Sequence, residues 1–222
     1  MDTRILCLRV LCLLLLVYPV AVPNILSNMI YNNIKHDKQK QKSSFWIFSI
    51  IVFVLTAWLP IYLLESDYKL LSGVSLWHGP VGILVAPVLI LLEIGVGAAY
   101  ALLTKKKIGT ISVDDRIGKE SPYVWLAVIA VAILEEILFR GVGFMVLSSM
   151  GASIWVYVAV SGLLYALNHC HEGVATTVQK LFTGVALALL FIGFKNNILV
   201  PIFAHVFENV IVIVWSKRKN EG

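Results

Sequence analysis

Glu135, Glu136 and Arg140 stand within six residues of one another, inside a stretch from Tyr123 to Met150 that is otherwise apolar enough to cross a membrane. An ionisable side chain near the bilayer centre costs about 3 kcal/mol or more on insertion scales, so the three must face a protein interior, a water cavity or each other. Glu136 and Arg140 are four residues apart with the acid first, the favourable order for an ion pair on one helical face. Glu135 lies about 100° further round the same helix. The two carboxylates therefore cannot do the same job. The same spacing recurs twice downstream, in Tyr165 with His169 and in His205 with Asn209.

These types suit a catalytic site buried in a membrane protein. Glu136 beside Arg140 reads as a buried ion pair. Glu135 has no partner on its own helix and reads either as a hydrogen-bonded packing acid or as a general base. His169 or His205 alone would read as a satisfied interior histidine; with Asn209 one turn beyond and an acid pair upstream, a shared site is the more economical reading. Glu93 and Glu208 are further acids at membrane depth, expected to pair with Arg140 or a histidine. His171 and Glu172 read as a solvated helix end. Gly141 and Gly143 read as close helix contacts, since small residues let helices approach in lipid.

The elements that must hold these side chains are membrane helices. Hydrophobic residues make up 59% of the 222-residue chain and charged residues only 14%, against roughly 25% charged in a soluble domain. The expected fold class is all-α, a polytopic transmembrane helical bundle of about seven spans, each near the ~20 residues that cross the hydrocarbon. They fall at about 10–30, 45–65, 80–104, 123–150, 151–171, 177–195 and 197–215. The organisation expected is residues 1–122 as N-terminal spans and loops, 123–215 as the helical core carrying the chemistry, and 216–222 as a basic tail.

Charge sets the orientation. The loops at 32–44 (Lys35, Lys38, Lys40, Lys42) and 105–122 (Lys105, Lys106, Lys107, Arg116, Lys119), with the tail (Lys217, Arg218, Lys219), hold twelve of the eighteen basic residues. The positive-inside rule places them, and the C-terminus, in the cytoplasm, with the plasma membrane as the expected location. Arg4 and Arg9 ahead of an apolar run also resemble a signal peptide. Cleavage near Val22 would put the Lys35–Lys42 loop outside, so an uncleaved first span is favoured.

Several chemistries lack their residues. The chain has no His-Glu-x-x-His, no Gly-x-Ser-x-Gly, no intramembrane Asp, and no P-loop or dinucleotide fingerprint, so a nucleotide or nucleic-acid partner is not expected. The three cysteines form no CxxC pair and read as packing residues.

At these positions the chain resembles the CPBP family, the CAAX-protease and bacteriocin-processing enzymes also called Abi proteins. Three motifs match in order: Glu-Glu-x-x-x-Arg as EEILFR at Glu135–Arg140, Phe-x-x-x-His as YALNH at Tyr165–His169, and His-x-x-x-Asn as HVFEN at His205–Asn209. The resemblance spans about Tyr123 to Trp215, and Tyr165 in place of Phe is its one departure. It implies an intramembrane endopeptidase acting on a membrane peptide or lipidated protein, of prenylated CAAX or bacteriocin type. It further implies that Glu135 and His169 activate a water, that His205 and Asn209 stabilise the oxyanion, and that Glu136 and Arg140 lock the helix. No cofactor is favoured; the alternative is a zinc ion on Glu135, His169 and His205. Competing readings are a non-catalytic bacteriocin-immunity or interaction protein, and a proton-coupled transporter using Glu93, Glu135 and His169.

Overall fold

The structure, a computed structural model, describes residues 3–33, 38–64, 75–105 and 119–221. All regular elements among them are helices: α1 Thr3–Leu15, α2 Ala21–Asn33, α3 Lys38–Leu63, α4 His78–Lys105, α5 Pro122–Glu136, α6 Gly143–Ser149, α7 Ile154–Asn168, α8 Val174–Gly193 and α9 Leu199–Glu221. Five helical segments are long and apolar enough to cross a membrane: Ser43–Leu63, His78–Thr104, Pro122–Ser149, Val174–Gly193 and Leu199–Lys219. The shorter apolar α7 packs among them. The chain is an integral, multi-pass membrane protein. Its outer face carries large apolar side chains such as Leu84, Leu91, Leu103 and Leu126, as expected where the solvent is lipid and no hydrophobic force drives them inward. Of the basic residues that set the orientation, Lys35, Lys106, Lys107 and Arg116 lie outside the described residues.

The expected first span, 10–30, is two 13-residue helices instead. At 1.5 Å per residue each is about 20 Å long, short of the hydrocarbon. Pro19 has no N–H to donate and its ring opposes a continuous helix, so the chain leaves the helix after Leu15 and re-enters it at Ala21. The Val20 amide freed by this break donates instead to Asn168 Oδ1 at 3.2 Å.

The long segment Pro122–Ser149 is not uniform either. Pro122 starts α5, where a missing N–H costs nothing, and immediately after Glu136 the coil widens into a π-helical turn at Ile137–Val142 before α6 resumes. Such widening shifts the register of backbone hydrogen bonds and often marks a functional position. The carbonyls of Phe139 and Arg140 accept from the hydroxyls of Ser161 at 3.2 Å and Tyr157 at 3.4 Å, both on α7.

Helices α7 and α8 approach through two glycines. A Cβ on Gly162 would stand 2.6 Å from Val185 Cγ2, and one on Gly184 would stand 3.0 Å from both the Gly162 Cα and Tyr165 Cδ1. Gly143 is looser, since a Cβ there meets nothing nearer than 3.6 Å. Of the two glycines expected at close helix contacts, Gly141 and Gly143, the latter is therefore in ordinary van der Waals contact only, because the residues opposite it stand far enough back to admit a methyl group.

Candidate active site

The six residues of the three motifs other than Asn209 form one connected group between α5, α7 and α9, all of them buried except His169, which is half-buried. Glu136 Oε1 is the hub. It accepts from Arg140 Nη1 at 3.2 Å and meets His205 Nδ1 at 2.8 Å. Arg140 is fully buried, donates from Nη2 to the Gly184 carbonyl at 3.1 Å, and lies over the Tyr165 ring with Cζ 4.6 Å from its centroid. The expected ion pair is present. Its additional link to His205 was not anticipated, because that contact crosses from α5 to α9 and leaves no trace in local spacing. A carboxylate can only accept, so His205 Nδ1 carries the hydrogen and its Nε2 faces the remaining partners. Those are the Tyr165 hydroxyl at 3.3 Å and Glu135 Oε2 at 3.8 Å.

Glu135, 5% exposed, has a different environment. Its Oε1 accepts from Asn168 Nδ2 at 2.9 Å and lies 3.7 Å from His169 Nε2. Asn168 was missed in the sequence; the signal available was a second amide-bearing residue at membrane depth directly before a motif histidine. It bridges Glu135 to the Val20 amide and so ties the α1–α2 break to the site. His169 Nε2 is buried without a hydrogen-bond partner, while its Nδ1 meets Glu172 Oε1 at 3.0 Å. Glu172, expected to be a solvated helix end, therefore touches the site. Burial pushes its carboxyl up, but the hydrogen bond and charge of His169, with the charges of Lys180 and His171, outweigh this and hold it below the usual carboxylate range.

The hydroxyl that distinguishes Tyr165 from phenylalanine points inward to His205, so this departure adds a polar group to the site. Glu93 and Glu208, expected to pair with Arg140 or a histidine, pair instead with Lys180, at 2.6 and 3.7 Å. Thr183 Oγ1 also donates to Glu93 Oε1 at 2.9 Å. Lys180 prevails because α8 brings it between α4 and α9, whereas Arg140 is committed to Glu136 and Gly184.

Glu135, Tyr165, Asn168, His169, His205 and Asn209 all line one cavity of about 650 Å³. From Glu135 it follows the face of α5 through Ala132, Val131, Val128 and Val124 to Glu120, with Phe53, Trp46 and Phe45 of α3 also in its wall. Asn209 has a half-buried side chain and sits one turn beyond His205. Among the described residues no three His, Cys, Asp or Glu side chains are grouped to hold a metal ion. Glu135, His169 and His205 share the cavity, but the two histidines lie on different oxygens of Glu135, at 3.7 and 3.8 Å.

A family model described as Type II CAAX prenyl endopeptidase Rce1-like matches residues 118–211. No curated protein and no solved structure matches the chain. The matched segment begins just ahead of α5, ends within α9 and holds every motif residue above, so over these residues, a little under half of its length, the chain is similar to the Rce1-like CAAX prenyl endopeptidases.

Proposed function

We propose that the protein cleaves a membrane-associated peptide or lipidated protein of the prenylated CAAX type, using a water activated by Glu135 and His169. The observation that carries this reading is the pairing of a buried carboxylate oxygen with a buried, unpartnered imidazole nitrogen, Glu135 Oε1 and His169 Nε2, 3.7 Å apart on the cavity wall. A water about 2.8 Å from each atom fits that gap, donating one hydrogen to the carboxylate and the other to the bare nitrogen. As its oxygen attacks the scissile carbonyl, one O–H bond breaks and the proton passes to this pair, the work of a positioned general base. The carbonyl electron pair moves to oxygen. Asn209 Nδ2 and a protonated His205 Nε2 donate to that oxyanion, an effect worth about 3–4 kcal/mol per donor in a dry site. Collapse breaks the C–N bond, and the stored proton goes to the leaving amine.

Glu136 and Arg140 act behind this front. Their bond fixes the turn after Glu135, and Glu136 holds His205 by Nδ1, turning Nε2 toward Tyr165, Glu135 and the cavity. The steps above use side chains alone. By the positive-inside rule the N-terminal end of α5 is cytoplasmic, and the C-terminus with it, as in a plasma-membrane protein facing substrates from the cytosol. The cavity reaches that end at Glu120, and its valine and aromatic walls suit an extended apolar segment entering there. Release of a C-terminal tripeptide from a farnesylated peptide in proteoliposomes, by wild type and not by Glu135→Gln, tests the proposal. A non-catalytic role would leave the peptide whole in both.

A further inference from the structure

The hydrolytic reading needs His169 to present a nitrogen lone pair at Nε2, yet a neutral imidazole can place its single hydrogen on either nitrogen. The chain around His169 makes that choice. His169 ends α7 with φ −102° and ψ 7°, and the next three residues turn tightly as a 3₁₀ helix, Cys170–Glu172, with the Glu172 amide donating to the His169 carbonyl at 3.0 Å. This fold-back returns the Glu172 carboxylate to the ring it follows, 3.0 Å from Nδ1. Gly173 then reverses the chain at φ 104°, a conformation open to glycine and strained for other residues, and α8 begins. Turn and contact are thus one device.

We infer that Glu172 is a positioning residue for His169: by accepting the Nδ1 hydrogen it fixes the tautomer in which Nε2 carries the lone pair that faces Glu135 and the attacking water. The logic is that of a carboxylate behind a catalytic or metal-bound histidine, which sets both ring orientation and the identity of the free nitrogen. Among the described residues around the ring, no other group takes its place at Nδ1. His171 Nε2 approaches the same Glu172 oxygen at 3.9 Å. Glu135 lies on the Nε2 side at 3.7 Å, and Tyr165 meets the ring by its edge at 4.9 Å between centroids. Glu172 lies outside the three motifs and does not touch the water position. Its catalytic part rests on the proposed hydrolysis; the tautomer does not.

Nitrogen NMR of ¹⁵N-histidine-labelled full-length protein in lipid, with the His169 signals assigned by their loss in His169→Ala, reads the tautomer without any substrate. In wild type the Nδ1 resonance is of the protonated, pyrrole kind and Nε2 of the bare, pyridine kind. Glu172→Ala moves the hydrogen toward Nε2, whereas Glu172→Gln retains the wild-type pattern because its amide oxygen still accepts. In cleavage assays Glu172→Ala lowers kcat about 10- to 100-fold with KM within about two-fold, and Glu172→Gln recovers most of it. A hydrogen on Nε2 in wild type, or a pattern unmoved in Glu172→Ala, overturns the inference. If wild type cleaves nothing, the hydrolytic reading fails and the resonances alone still decide whether Glu172 positions His169.

Discussion

Replacing Arg140 by leucine removes the permanently charged partner of Glu136 and leaves it His205 alone among the described residues, and the cost follows from what is left behind. Glu136 is 0% exposed, its Oε2 already has no partner, and without Arg140 its Oε1 keeps only His205 Nδ1. Breaking a buried ion pair by deleting one member costs about 3–5 kcal/mol, because the survivor is buried and uncompensated. The guanidinium also gives up the Gly184 carbonyl at 3.1 Å and its place over Tyr165, so the upper half of that range applies. Replacing both members by apolar residues of similar volume is far milder. Glu136→Met with Arg140→Leu strands His205 Nδ1 and the Gly184 carbonyl, at about 1–3 kcal/mol each, but no carboxylate. The double variant should therefore be no less stable than Arg140→Leu alone, and the two substitutions should be strongly non-additive. Reversible unfolding in mixed micelles, monitored by Trp fluorescence, measures all four corners of the cycle. Additive losses, with the double variant falling by the sum of the singles, would refute the reasoning that the pair is one buried unit.

Other outcomes follow from the same contacts. Asn168→Ala should destabilise the bundle by about 2–4 kcal/mol, through the lost charge-assisted bond to Glu135 and the stranded Val20 amide, and should lower cleavage more than Asn168→Asp lowers stability; parallel unfolding and activity measurements check it. Gly162→Ala drives a methyl to 2.6 Å from Val185 and should cost about 1–3 kcal/mol by overpacking, whereas Gly143→Ala should fall within about 1 kcal/mol of wild type. Lys180→Met leaves Glu93 and Glu208 facing each other without their cation and should cost about 3 kcal/mol, near the lower end for broken pairs since Glu93 is partly exposed; Lys180→Met with Glu93→Gln should restore part of it. Tyr165→Phe, which removes the hydroxyl on His205, should cost about 1 kcal/mol and reduce kcat more than it alters KM.

What could be read from the sequence divides along a physical line. Periodicity reports neighbours on one helix, so the Glu136 and Arg140 pair and the apolar spans were visible in spacing alone. It is silent about which helices face each other. The bonds from Glu136 to His205, from Asn168 to Glu135 and from Lys180 to Glu93 each join residues more than thirty positions apart, and none has a local signature. Glu172 is exposed, as expected of a helix end, but the 3₁₀ turn also folds its carboxylate back onto His169, a contact that spacing does not report. Pro19 stands inside the apolar run that reads as a first span, and hydrophobic length alone does not register the break it makes. The π turn at Ile137–Val142 had no sequence cue, since its carbonyls are met by hydroxyls on another helix.

The most direct test of the account is cleavage of a farnesylated CAAX-type peptide by purified protein in liposomes, read by mass spectrometry for the released tripeptide, comparing wild type with Glu135→Gln and His169→Ala, each with and without a chelator. The account predicts tripeptide release by wild type that survives chelation and falls at least about 100-fold in both variants. Cleavage by either variant at the wild-type rate, or activity that vanishes with the chelator and returns with zinc, would contradict it.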